Sequence, residues 1–121
     1  EASKQGAAFA RVVRDVWALE VPDVVLPLAV SHAARQQGIA VTRVVPLYLQ
    51  SFAGNIISAA QRLMPLGQTG AQRVMRNMQP VIQTLAADTA EARLDDLYSN
   101  AFLSDIAAMR QEHLEVRVFQ S

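Results

Sequence analysis

Two histidines, His32 and His113, and the adjacent carboxylates Asp95 and Asp96 are the side chains in this 121-residue chain that come nearest to a metal or acid–base centre. A zinc or nickel site needs three or four ligands converging at defined spacings. Here the histidines are far apart, there is no cysteine, and no H-E-x-x-H pattern occurs. His32, among Ser31, Ala33 and Ala34, reads as a packed or surface histidine, and His113 suits a helix end, where the macrodipole favours it. Only a symmetric dimer would bring two copies of His113 together. Neighbouring residues on a helix point in different directions, so Asp95-Asp96 reads as a solvated loop rather than a catalytic dyad. Gly67-Gln68-Thr69-Gly70 lacks the Gly-Lys-Ser/Thr ending of a phosphate loop, and no strand precedes it. No spacing of Ser, His and Asp marks a triad. The expectation is a protein without catalytic residues, without metal ligands of its own and without a tightly bound cofactor.

The remaining reactive groups are cations. Arg73 and Arg76, three apart, share a helix face and together with Arg62 could grip phosphates, with Leu66 to Gly70 as the turn of a helix-turn-helix. Against nucleic acid stand the lack of supporting lysines or aromatics and a pI near 7.0. The 11 basic and 11 acidic groups balance, but unevenly along the chain. Val24 to Ala87 contains Arg35, Arg43, Arg62, Arg73 and Arg76 and no carboxylate, whereas residues 88–115 hold seven carboxylates and two arginines. Either the two blocks face each other inside the fold, or the basic one meets an acidic partner.

With 51% hydrophobic and 18% charged residues, the chain is neither disordered nor fibrous. The longest uncharged run, Val44 to Gln61, is interrupted by Pro46, Gln50, Ser51, Gly54, Asn55 and Ser58, which argues against a membrane span. The absence of cysteine suits the cytoplasm. A domain of this size buries about 60–70% of its unfolded surface. A positive mean hydropathy of +0.14 with so few charges therefore predicts that some apolar surface is an interface. The chain begins with Glu, inside a helix and with no signal sequence before it, so it reads as a fragment of a longer protein.

The apolar periodicity predicts an all-α bundle of about five helices in a single domain over residues 1–121. Phe9, Val12, Val13, Val16 and Trp17 form one face of a first helix ending before Pro22. A second helix opens either at an Asp23 cap or with Pro27 in its first turn, and runs to Gln37, where Gly38 supplies a left-handed stop. Thr42 is the expected cap of a third helix. Its stripe of Val45, Leu49, Phe52, Ile56, Ala60 and Leu63 belongs either at the centre of a bundle or between subunits. After Pro65 and Gly67, Thr69 and Gln72 have the spacing of a capping box for a fourth helix, which Pro80 should kink or split. A fifth helix is expected over Ala101 to His113 with Phe102, Leu103, Ile106 and Met109 inward, followed by an extended tail over 114–121.

The run Tyr48-Leu49-Gln50-Ser51-Phe52-Ala53-Gly54-Asn55-Ile56-Ile57, followed by Pro65-Leu66-Gly67-Gln68-Thr69 and then Gln72-Arg73, resembles the UreF family of urease accessory proteins. The end of the chain, with Ala108-Met109-Arg110, Glu112 and Arg117-Val118-Phe119-Gln120-Ser121, is similar to that family's end, with departures at Gln111, Leu114, Glu115 and Gln120. The resemblance covers essentially the whole chain and implies the carboxy-terminal part of a UreF-like protein. It implies a non-enzymatic, all-helical homodimer in the cytoplasm that joins UreD (also called UreH) and the GTPase UreG, loading nickel into apo-urease as GTP is hydrolysed. The complex, not this chain, handles the nickel. On this reading the dimer interface falls on Tyr48, Phe52, Asn55 and Ile56. Partner contacts fall on Gln68, Thr69, Gln72, Arg73, Arg76, Arg110, Glu112, Arg117 and Phe119. Arg73 and Arg76 would lie beside the dimer seam to receive the GTPase, and Arg117 and Phe119 would order against UreD. A helical dimeric DNA-binding domain or a generic interaction module is the alternative.

Overall fold

The structure, a computed structural model, describes residues 2–98 and 101–112. The described residues are helical, and no strand occurs among them. The helices are α1 (Ala2–Trp17), α2 (Leu26–Gln36), α3 (Val41–Leu63), α4 (Gln68–Asp88) and α5 (Phe102–Glu112), with a single 3-10 turn at Leu94–Asp96. Two units divide the chain, residues 1–91 and residues 92–121. None of the described helices is long and apolar enough to cross a membrane.

α1 and α2 pack on each other through small residues. Ala10, Val13, Val21, Ala29 and Ala33 are buried together, with Phe9, Leu19 and Val24 packed against them. Gly6 makes this approach possible: a Cβ there would overlap the Val24 carbonyl oxygen and lie 2.7 Å from the Leu26 nitrogen. The connection between the two helices is tied down by polar contacts. Arg14 makes a two-nitrogen contact with Asp23 at 2.9 Å and also donates to the Val21 carbonyl. The Gln36 amide donates to the Glu20 carbonyl at 2.7 Å and accepts from the Glu20 N–H at 3.1 Å. Asp23 is thus a salt-bridge partner and caps nothing; Val25 is the N-cap and Pro27 lies in the first turn of α2, where its missing N–H costs no helical bond.

Helix ends follow the expected chemistry at α2 and depart from it at α1. Gly38 takes the left-handed conformation, φ 68°. The Gly38 N–H reaches the Arg35 carbonyl at 3.1 Å and the Ile39 N–H reaches Ala34 at 2.9 Å, the paired bonds of a Schellman stop. α1 closes instead on Ala18, a non-glycine with φ 53°, whose N–H bonds the Arg14 carbonyl at 3.0 Å.

The two threonine caps are corrected by the structure. α3 begins at Val41 with Ala40 as N-cap, and α4 begins at Gln68 with Gly67 as N-cap, neither with a side-chain cap bond. Thr42 and Thr69 therefore sit second in their helices, and Gln72 is too far along to reach back. Gly67 is itself an acceptable cap residue, and its carbonyl takes the Ala71 N–H at 3.0 Å, so the helix enters two residues earlier. α4 passes through Pro80 unbroken. Pro80 and Arg76 are both exposed, so the Arg76 carbonyl deprived of its donor lies on the wet side.

The unit over 92–121 is described by itself. Within it the Asp96 carboxylate accepts the Arg93 N–H at 2.8 Å, a local cap on the 3-10 turn rather than half of a catalytic pair. Phe102, Leu103, Ile106 and Met109, expected inward, are exposed, Leu103 to 85%. His113 and the expected extended tail lie outside the described residues.

Candidate partner-binding surfaces

α3 and α4 form the most extensive helix pair, joined by residues 64–67 into an antiparallel hairpin. Gly54 of α3 stands against the end of Met75 of α4, and the Gln61 amide donates to Gln68 at 3.0 Å. Met75, with buried Ala71 and Ile82, marks the inner face of α4. Gln68, a predicted partner contact, is therefore engaged at the hairpin's own turn.

Helical periodicity gives α3 three faces. One, with Gly54, Gln61 and half-buried Ile57, meets α4. A second, with Val44, Leu47, Tyr48 and Ser51, lines a groove against α1 and α2. The third carries Val45 and Leu49, which are half-buried, and Phe52, Ile56 and Leu63, which are uncovered: Phe52 is 59% exposed, Ile56 55% and Leu63 86%. No residue of α3 is buried. Of the predicted dimer residues, Phe52 and Ile56 share this outward row, exposed Asn55 borders it, and half-buried Tyr48 belongs to the groove.

α4 continues the same apolar surface. Val74, Val81 and Leu85 are exposed and fall on the same side of the hairpin as the outward row of α3. Arg73 and Arg76 lie about a quarter turn or more around the helix from these residues, at 3.6 residues per turn. Thr69, Gln72, Arg73 and Arg76 are all exposed, on the side away from Ala71 and Ile82. Arg110 of α5 is exposed and Glu112 ends that helix; Arg117 and Phe119 lie outside the described residues.

The groove went unforeseen in the sequence. It has a volume of about 430 Å³, with Phe9, Leu26, Val30, Ala33, Leu47 and Tyr48 among its walls. Ala33 and Ala34 of α2, which offer only methyl groups, are part of its lining. Consecutive small residues facing an apolar helix were the available signal. Among the described residues no group of three His, Cys, Asp or Glu side chains could hold a metal ion, and His32 is exposed. Among the described residues the arrangement offers apolar and cationic surfaces for recognition.

The sequence matches known proteins along its whole length. The UreF family model matches residues 1–79. The whole chain aligns with the urease accessory protein UreF of Cereibacter sphaeroides strain KD131 at 44% identity, covering 58% of that protein. The proteins of the same name from Roseobacter denitrificans and Ruegeria pomeroyi are 40% and 39% identical over the whole chain, which covers 54% and 56% of their lengths. The chain thus spans little more than half of the curated relatives it matches. With a family model covering well over half of its residues and an all-helical fold, the chain belongs to the UreF family of urease accessory proteins.

Proposed function

We propose that this chain is part of a non-catalytic scaffold for urease maturation. In this reading it forms a homodimer in the cytoplasm and joins UreD (UreH) and the GTPase UreG. The resulting complex assembles the nickel metallocentre of apo-urease at the expense of GTP hydrolysis, with nickel as its cargo. The observation that carries the proposal is the outward row of α3. A 23-residue helix with Phe52, Ile56 and Leu63 uncovered is built to be covered by protein. Burying each such side chain contributes about 1.5–3 kcal/mol, enough for a few of them to hold two subunits together. Arg110, Glu112, Arg117 and Phe119 extend the partner contacts beyond the hairpin.

The test is co-purification from urease-positive cells with the tagged full-length protein. Recovery of UreD and UreG, together with a dimeric mass for the isolated protein, is the expected outcome. Recovery of neither, or a gel shift of DNA that weakens steeply with salt, would favour the nucleic-acid alternative instead.

A further inference from the structure

The polar side of α4 holds a second surface. Between Val24 and Ala87 every charged residue is an arginine. Arg73 and Arg76 stand one turn apart on α4, close enough for their side chains to act together, with about 5–6 Å between Cβ atoms at this spacing. Both are exposed. Among the described residues neither takes an ion pair or a side-chain hydrogen bond, in contrast to Arg14, which is held by Asp23 at 2.9 Å. Their exposed companions on this side, Thr69, Gln72 and Gln83, are neutral, so none of these neighbours on α4 offsets the positive potential.

From this we infer that the polar face of α4 is an electrostatic docking surface for an acidic patch on a protein partner, separate from the apolar face of the hairpin and open while that face is covered. Two guanidinium forks one turn apart suit carboxylates presented at similar spacing, each able to bind in bidentate fashion. Nucleic acid fits less well. Lys4 is the only lysine, and a duplex-binding surface typically engages about 6–10 phosphates. The choice of partners for the test rests on the function proposed above.

The experiment measures binding of the full-length protein to purified UreG, to purified UreD and to a DNA duplex, at about 50 and 200 mM salt. We expect one of the two proteins to bind with strong salt dependence. The double variant Arg73→Glu, Arg76→Glu should weaken that binding about tenfold or more while leaving self-association and the helical circular dichroism unchanged. The double lysine variant, which keeps both charges, should retain much of it. Capture of UreD and UreG with equal affinity by wild type and the charge-reversed variant would overturn this inference and leave the proposed function standing. Capture of neither by wild type would overturn both. Binding of the duplex alone, lost on charge reversal, would overturn the assignment to a protein partner.

Discussion

The α1–α2 pair and the α3–α4 hairpin differ in what holds each together. In the first, Ala10, Val13, Val21, Ala29, Ala33 and Gly6 are buried while Val12, Val16, Trp17 and Leu28, three of them from the expected apolar face of α1, stay exposed, and the connection is fastened by Arg14 to Asp23 and by Gln36 to the Glu20 backbone. In the second, two longer helices bury only Ala71 and Ile82 and leave Phe52, Ile56, Val81 and Leu85 largely uncovered. Small residues bring helix backbones close and leave little for a partner to grip; large side chains left outside do the reverse. The first pair closes on a core of small residues with polar ties, whereas the hairpin buries two residues and leaves most of its larger apolar side chains outside.

That contrast is open to substitution. The largest effect belongs to Gly6→Ala, because the new methyl meets backbone atoms of Val24 to Leu26, which cannot rotate away. A loss of about 3 kcal/mol is expected in urea denaturation, at the upper end for overpacking. A neutral result would mean that α1 and α2 are not closely packed. Next comes Ala18→Gly. It relieves a left-handed alanine at the end of α1, and should raise stability by about 1 kcal/mol; a decrease would show that another conformation closes the helix. Smallest should be the effect of Phe52→Ser on the stability of the isolated subunit, within about 0.5 kcal/mol as for surface positions. A large loss there would show that the row is core after all.

What could be read from the sequence follows the range of the interactions. The all-helical class, the Gly38 stop and the apolar stripe of α3 depend on residues within a turn or two of each other, and periodicity displays them. The stripe was open to two readings, bundle centre or interface; in this structure Val45, Leu49 and Ala60 are half-buried while Phe52, Ile56 and Leu63 stay out. Thr42 and Thr69 misled because a cap is a competition between neighbouring residues, and Ala40 and Gly67 took the position. Gly6 gave no signal because its role appears only when a second helix backbone arrives. The groove beside Tyr48 is likewise a property of three helices. Arg73 and Arg76 were legible as a pair, but their separation from the apolar row needed the helix start at Gln68 and the hairpin's inner face.

On the proposed function, the outward row of α3 is an association surface. Sedimentation equilibrium of the full-length protein, compared with its Phe52→Glu, Ile56→Glu variant, tests it most directly. The expected result is a dimer for wild type and a folded monomer, with unchanged helical content, for the variant. A variant that remains dimeric at the same concentration would contradict it.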